Sequence, residues 1–561
     1  MSTKYLVLFG LLAVIFGACS SEEAISSSNH HKEINQDQEL TSFVSGKDGG
    51  DVLKTRTSLN YNDGNFFWET GDKITVKDET GTWEISSNEV KSHASGFKFE
   101  VPGVYYASKS YPVLYTGKNG NDNQVTIATS QKQVEPNTTL HFNEAGDCGF
   151  GQASLDLDNP SRFKFKLDHK PAYLVFQPYT NNKILKDCFI TKIEVTATDG
   201  SNIAGTYTLD PVTGNLIGSG NSKTISLTTG NVKKDWWNYP YLPYVKGFPL
   251  NNTSASVATN GAYMVIAPGI HSLRVDYWVK DYTTAAEGVI TKTLPSFNYD
   301  TNNFYDMTAS LDVPDYSRKY YYWDAKKNMW NGHEWDSADP WQPTVNGGSD
   351  ARYPKPTDLD TYGNHGMTSI SSPLEASNSC RDCPTVNEML WYVNKGDPHV
   401  DNSIWTAMGH LYSGGVWLKK KAKIAHDEGL TEEMMKNQYL GKDFRKYGLS
   451  NWYTNGYYGY TDWPDVSNVL RNGWITKKVT DLSSVGDYFF LPVLGRYIYG
   501  SLSNIGVFGS YFTSSVWSSS GGEAYAFFKV GINYDPERGI GLNVGIADRS
   551  EGDLAEPTWF K

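Results

Sequence analysis

Basic charge is in short supply in this chain: 50 Lys and Arg stand against 62 Asp and Glu, for a net charge of −12. Such a balance offers nucleic acid and anionic lipid no long-range attraction, so neither is an expected partner. Only 20% of the residues carry charge while 39% are apolar, a mixture that excludes a wholly disordered chain and a coiled-coil rod. The apolar run that stands out, Tyr5 to Ala18, stops at 14 residues, short of the roughly 20 needed to cross a bilayer as a helix. Cysteine is sparse too, at five in 561 residues, which excludes a disulfide-stapled scaffold.

What is present begins with that short run. Lys4 precedes it, and the small residues Gly17 and Ala18 lead directly into Cys19, the arrangement a lipoprotein signal peptidase needs in its narrow site. Cys19 is therefore expected to become the lipidated N-terminus of a surface precursor. Ser20, Ser21, Glu22 and Glu23 resemble the acidic serine tether of outward-facing Bacteroidetes-type lipoproteins. Residues 1–19 read as the signal, and the polar stretch 20–54 as a flexible tether. Four cysteines then remain, Cys148, Cys188, Cys380 and Cys383. The C-R-D-C pair Cys380 and Cys383 lacks the βαβ context of a redox motif and the further ligands of a zinc site, so it reads as a local disulfide or two reduced thiols. Whether Cys148 meets Cys188 is left open.

A length of 561 residues suggests about three domains. From about Arg56 to Val313, short alternating or β-branched runs recur between Asn, Gly, Asp and Pro turns, with no three-turn helical stripe among them. That spacing argues for antiparallel β-sandwiches, here two, spanning 55–158 and 159–316. His169, at the start of a strand, reads as structural.

The segments Thr55 to Leu59, Phe67 to Ile74 (FWETGDKI), Phe165 to Ala172 (FKLDHKPA), Tyr263 to Pro268 and Asn303 to Leu311 resemble, in that order, the Bacteroidales fimbrillin family. The resemblance covers about residues 40–314, and W-x-x-G-D is its most specific motif. It implies two transthyretin-like sandwiches in a surface lipoprotein that polymerises, or docks onto a polymer, by strand exchange with a neighbouring pilin subunit. A protease cutting after a basic residue at the start of the first domain, Arg56 being the best placed, would remove the tether with one strand and leave a groove for a neighbour's strand.

Beyond Pro314 the composition changes, with twelve of the 17 Trp in the last part of the chain. A helix is expected to start at Pro384-Thr385, with Val386, Met389, Leu390 and Val393 on its apolar face and Glu388 opposite. A second is expected over Thr431 to Arg445, and Lys419, Lys420, Lys421 and Lys423 form a basic run expected to be a solvated edge. Cys383 to Trp391 (CPTVNEMLW), Phe490 to Arg496 (FLPVLGR), Gly500 to Gly509, Tyr511 to Ser515 (YFTSS) and Glu523 to Phe528 (EAYAFF) resemble the bacterial C-type-lectin-like fold of the Fibrobacter-type major paralogous domain. This resemblance covers about Arg381 to Val544 and implies an α+β lectin-like domain over 317–561. The overall fold class is thus mainly β, two sandwiches followed by that domain.

Function has to come from a site. The calcium triplets of lectins of this fold, E-P-N or Q-P-D with W-N-D, are absent, and Asp462-Trp463-Pro464-Asp465 alone supplies too few oxygens. No metal, no cofactor and no enzymatic activity are expected; related enzymes need late cysteines, and none follows Cys383. Sugar rings and protein patches both use aromatic platforms. Trp452, Tyr453, Asn455, Tyr457, Tyr458, Asp462 and Trp463 are therefore the expected binding residues for a host or microbial glycan or protein. The leading reading is the tip adhesin of a pilus. Arg549 to Lys561 has no alternating run to donate to a neighbour, which suits a distal cap. The alternative is a surface glycan-binding lipoprotein of a polysaccharide-uptake system.

Overall fold

The computed structural model describes residues 40–45, 58–60, 65–230, 246–355, 357–362, 376–447, 474–482, 484–517, 526–548 and 551–555. The chain is mainly β, as the strand spacing implies.

The first sheet runs in the order Trp83–Ile85, Thr75–Lys77, Tyr111–Tyr115, Gly149–Leu155, Arg162–Phe165, Leu40–Ser45 (β1), Phe97–Pro102. It curls back on itself. Just past Trp83–Ile85, the Ser87 amide donates to the Glu100 carbonyl at 2.7 Å, and the Asn88 carboxamide takes the Glu100 amide at 2.8 Å and the Lys98 carbonyl at 2.9 Å. Inside lie Phe43, Trp68, Val76, Phe99, Val113 and Phe163 among others. The presence of β1 corrects the sequence reading, which placed residues 40–45 in a flexible tether. Six residues (LTSFVS) inside a polar stretch carry no alternation for periodicity to detect, yet two neighbouring strands supply the pairing that holds them.

A pair of sheets follows. One has Ala172–Tyr179 between Ala262–Ile266 and a parallel Phe304–Ser310. The other has the order Glu287–Tyr299, Gly269–Lys280, Phe189–Ala197, Thr224–Thr229, Ser130–Gln133. Their facing side chains, including Tyr173, Val175, Ile193, Val265 and Tyr277, form one apolar cluster. Ser130–Gln133 and Gln124–Ile127, expected in the first sandwich by the 158/159 division, pair instead with Thr224–Thr229 and Gly205–Leu209. Ile127 and Phe142 are buried in the second cluster. Hydrogen bonding across a division that was drawn on turn signals alone is the physical reason for the difference.

In the last part, the order Ser501–Ser503, Arg496–Ile498, Glu551–Leu554, Phe508–Trp517, Ala526–Asp535, Gly539–Asp548 makes one sheet, and His399–Ala407, His410–Lys419, Tyr488–Pro492 another. The helix Val386–Lys395 starts where the sequence implies. Thr385 and Glu388 form a capping box: the Thr385 hydroxyl oxygen accepts from the Glu388 amide, and the Glu388 carboxylate accepts from the Thr385 amide at 2.7 Å. Glu388 is 5% exposed and pairs with Lys421 at 2.7 Å, so it does not occupy a solvent face. Lys421 opens a helix, Lys421–Glu428, and Lys419 and Lys423 both bind Asp427. The basic run is thus an ion-paired helix start. The helix expected over Thr431 to Arg445 divides into Glu432–Asn437, capped by Thr431, and Phe444–Tyr447.

Candidate strand-exchange site

β1 is held on both sides. It runs antiparallel to Phe97–Pro102, with Phe43 opposite Phe99 and Ser45 opposite Phe97, and parallel to Arg162–Phe165, with Phe43 opposite Phe163. A strand in mid-sheet satisfies its amides and carbonyls on both edges, whereas its neighbours lose theirs if it leaves. Phe43 and Ser45 are 0% and 1% exposed. The Phe43 ring stacks on Phe163 at 5.2 Å and meets Tyr105 edge-on at 5.0 Å.

The W-x-x-G-D motif closes the same pocket. Trp68 donates its indole N–H to the Ser45 hydroxyl oxygen at 2.5 Å, and its ring lies edge-on to Phe99 and Tyr115. Gly71 has φ +90°, the left-handed conformation that favours glycine. Asp72, buried, accepts from the Glu69 amide at 2.7 Å and from the Tyr115 hydroxyl at 3.0 Å. The motif is a turn whose parts fix the direction of the Trp68 N–H.

Of the residues singled out in the sequence, Cys19, Arg56 and the whole set Trp452, Tyr453, Asn455, Tyr457, Tyr458, Asp462 and Trp463 lie outside the described residues. β1 ends at Ser45 and the next described strand, Ser58–Asn60, begins two residues after Arg56. Arg56 therefore stands in the connection that follows β1. His169 is structural: its Nδ1 lies 2.9 Å from Asp147 Oδ1, which also accepts from the Tyr173 hydroxyl at 2.6 Å. Cys380 and Cys383 are buried thiols in one small cluster with Ala376, Phe512 and Ala555, and burial, with Cys383 beside it, pushes the Cys380 thiol well up. Cys148 and Cys188 are thiols in separate apolar clusters. Among the described residues no group of three His, Cys, Asp or Glu could hold a metal ion, and no helix is long and apolar enough to cross a membrane. The β1 residues Phe43 and Ser45, and Trp68 that meets Ser45, were not legible as a site. The only early signal is that Phe43 is the one Phe, Tyr or Trp between residues 20 and 54.

A second junction concerns the last part of the chain. Ile404 and Leu411, from the hairpin His399–Ala407 and His410–Lys419, are buried in the second sandwich's cluster. Asp281 receives the Leu411 amide at 3.1 Å and lies 3.3 Å from His410 Nδ1. Burial by itself would raise the Asp281 carboxyl; the bonds from His410, Leu411 and Thr283 outweigh it and hold the group at about 2. Residues that follow Phe304–Ser310 are tied down as well. Thr406 donates its amide to the Pro314 carbonyl at 2.9 Å and accepts the Tyr316 amide at 2.7 Å, while Asp312 accepts from the Thr180 hydroxyl at 2.7 Å.

No family model and no curated protein matches the chain. Among solved structures it is similar to a candidate cell adhesion protein from Bacteroides ovatus, at 12% identity over 49% of this chain and 94% of that one, with a TM-score of 0.29. It is similar to the fimbrial anchor protein Mfa2 from Porphyromonas gingivalis at 9% identity, over 46% and 83% of the two chains, with a TM-score of 0.20. A fimbrial protein from Bacteroides ovatus aligns over 92% of this chain and 98% of its own, at 10% identity and a TM-score of 0.21. At such identities and TM-scores these likenesses carry no role over to this chain.

Proposed function

We propose that this chain is a subunit of a cell-surface fibre, delivered as a lipoprotein through Cys19, that accepts a neighbouring subunit's strand in place of β1. The observation that supports it is the position of β1: a mid-sheet strand lying wholly N-terminal to Arg56, joined to the rest of its sheet by side-chain burial and hydrogen bonds alone once the connection is cut. Cleavage after Arg56 releases tether and strand together and opens a groove lined by Phe99, Phe163 and Trp68.

In this reading the chain sits at the fibre tip and its last part binds a glycan or protein ligand through the segment Trp452 to Trp463, on a lectin-like domain covering 317–561. The anchoring of Asp312 on Thr180 and of Pro314 and Tyr316 on Thr406 supports the tip position, because the segment after the second sandwich is occupied within its own chain and is not available to a neighbour. The test is N-terminal sequencing of the chain in sheared surface fibres. It is expected to start after Arg56 in the wild type and to be absent from fibres in Arg56→Ala. Fibre-associated chain that retains β1, or chain found only as an acylated membrane form, would reject the proposal and favour the uptake lipoprotein.

A further inference from the structure

We infer that the slot held by β1 selects its incoming strand by a short signature: an aromatic residue, one residue that is not a cation, then a small hydroxyl residue. The inference rests on the strand-exchange reading above and adds the chemistry of the partner strand.

The first position is defined by rings on both sides. Phe43 stands in register with Phe99 and with Phe163, and Tyr105 closes the third side edge-on. A phenyl ring fills the space between them. A smaller side chain leaves a cavity in a fully buried position, and the aromatic contacts are lost with it.

The second position, that of Val44, faces the other side of the sheet. It is 5% exposed, and its register partners are Lys98 and Lys164. A cation there would be placed between two others, so a residue without positive charge is required.

The third position is the most restrictive. Trp68 is 0% exposed, and its ring direction is fixed by Phe99 at 5.0 Å and Tyr115 at 5.6 Å. Its N–H points into the slot, where Ser45 Oγ accepts at 2.5 Å and takes the Phe97 amide at 3.3 Å as well. A strand without an acceptor there leaves a buried donor unsatisfied, and one with a branched apolar side chain also meets the indole. The remaining row is permissive: Leu40 is 50% exposed, and Ser42 reaches only the rim carboxylate of Glu100.

The experiment uses the full chain, nicked by limited trypsin between Ser45 and Ser58, and a fluorescent peptide with the sequence of residues 38–47. Anisotropy should report entry of this peptide and displacement of the N-terminal fragment. Peptides carrying Phe43→Ala or Ser45→Val should bind at least about tenfold more weakly, the factor expected for one lost buried contact. In a nicked Trp68→Phe chain the penalty of the Ser45→Val peptide should shrink while that of the Phe43→Ala peptide persists. Equal binding of all three peptides would overturn the signature and leave strand exchange standing. Failure of every peptide to enter a nicked chain that keeps its native circular dichroism would overturn strand exchange itself. If the nicked chain unfolds, urea midpoints of uncut Ser45→Val, Trp68→Phe and the double variant decide: coupling supports the signature, and additivity overturns it.

Discussion

Gln131 lays its carboxamide flat against the backbone of Val265, donating to the carbonyl at 2.7 Å and accepting the amide at 3.0 Å. Gln133 repeats the contact, accepting from the Tyr263 amide at 2.7 Å and donating to the Gly261 carbonyl at 2.9 Å. His141 Nε2 reaches the Tyr263 carbonyl at 3.0 Å. Three side chains thus occupy the free edge of Ala262–Ile266 as a strand would, and deny it to another chain. Replacing Gln131 or Gln133 by Ala is expected to cost about 1 to 3 kcal/mol each, since buried amides lose their partners. The double variant should also self-associate; thermal melts and sedimentation velocity check both outcomes.

His141 gives a pH dependence with a defined sign. Burial lowers its pKa to about 4, against a smaller raising effect from the Tyr263 carbonyl and Glu144. The unfolded chain therefore binds a proton between about pH 6.5 and 4 that the folded chain refuses, and stability falls as pH falls through that window. Urea midpoints measured at pH 7 and pH 5 should show a smaller drop for His141→Gln than for the wild type.

In the uncut chain β1 is part of the core. Phe43→Ala is expected to destabilise it by about 3 to 5 kcal/mol. A substitution at exposed Leu40, such as Leu40→Ser, should change stability by less than about 1 kcal/mol. Denaturant titration of the two variants separates a seated strand from a loose tether.

At the second junction, a methyl added at Gly288 would run into Ile404 Cγ2. Gly288→Ala and Asp281→Ala are both expected to loosen the hairpin His399–Lys419 from the second sandwich, the latter by about 1 to 3 kcal/mol through the orphaned Leu411 amide. Asp281 is held below its usual range, at about 2. Its contribution is present above about pH 4 and lost as pH falls toward 2. Limited proteolysis of the full chain, with products mapped by mass, reads the release.

By itself the sequence determined the fold class, because runs of alternating residues between turn formers leave little but paired strands to form. It also determined the helix start at Thr385, where the cap and Glu388 are three residues apart and need no distant partner. The tertiary structure decided what depends on distant partners. β1 is six residues in a polar stretch, and it becomes a strand only because Phe97–Pro102 and Arg162–Phe165 come to either side of it. Glu388, placed opposite the apolar face of its helix, is buried where Lys421 arrives to pair with it. Gln131 and Gln133 look like surface residues of an ordinary strand until Ala262–Ile266, some 130 residues on, presents an edge to cover. Period and capping are local and can be read along the chain, whereas pairing partners and edges exist only after the chain has closed on itself.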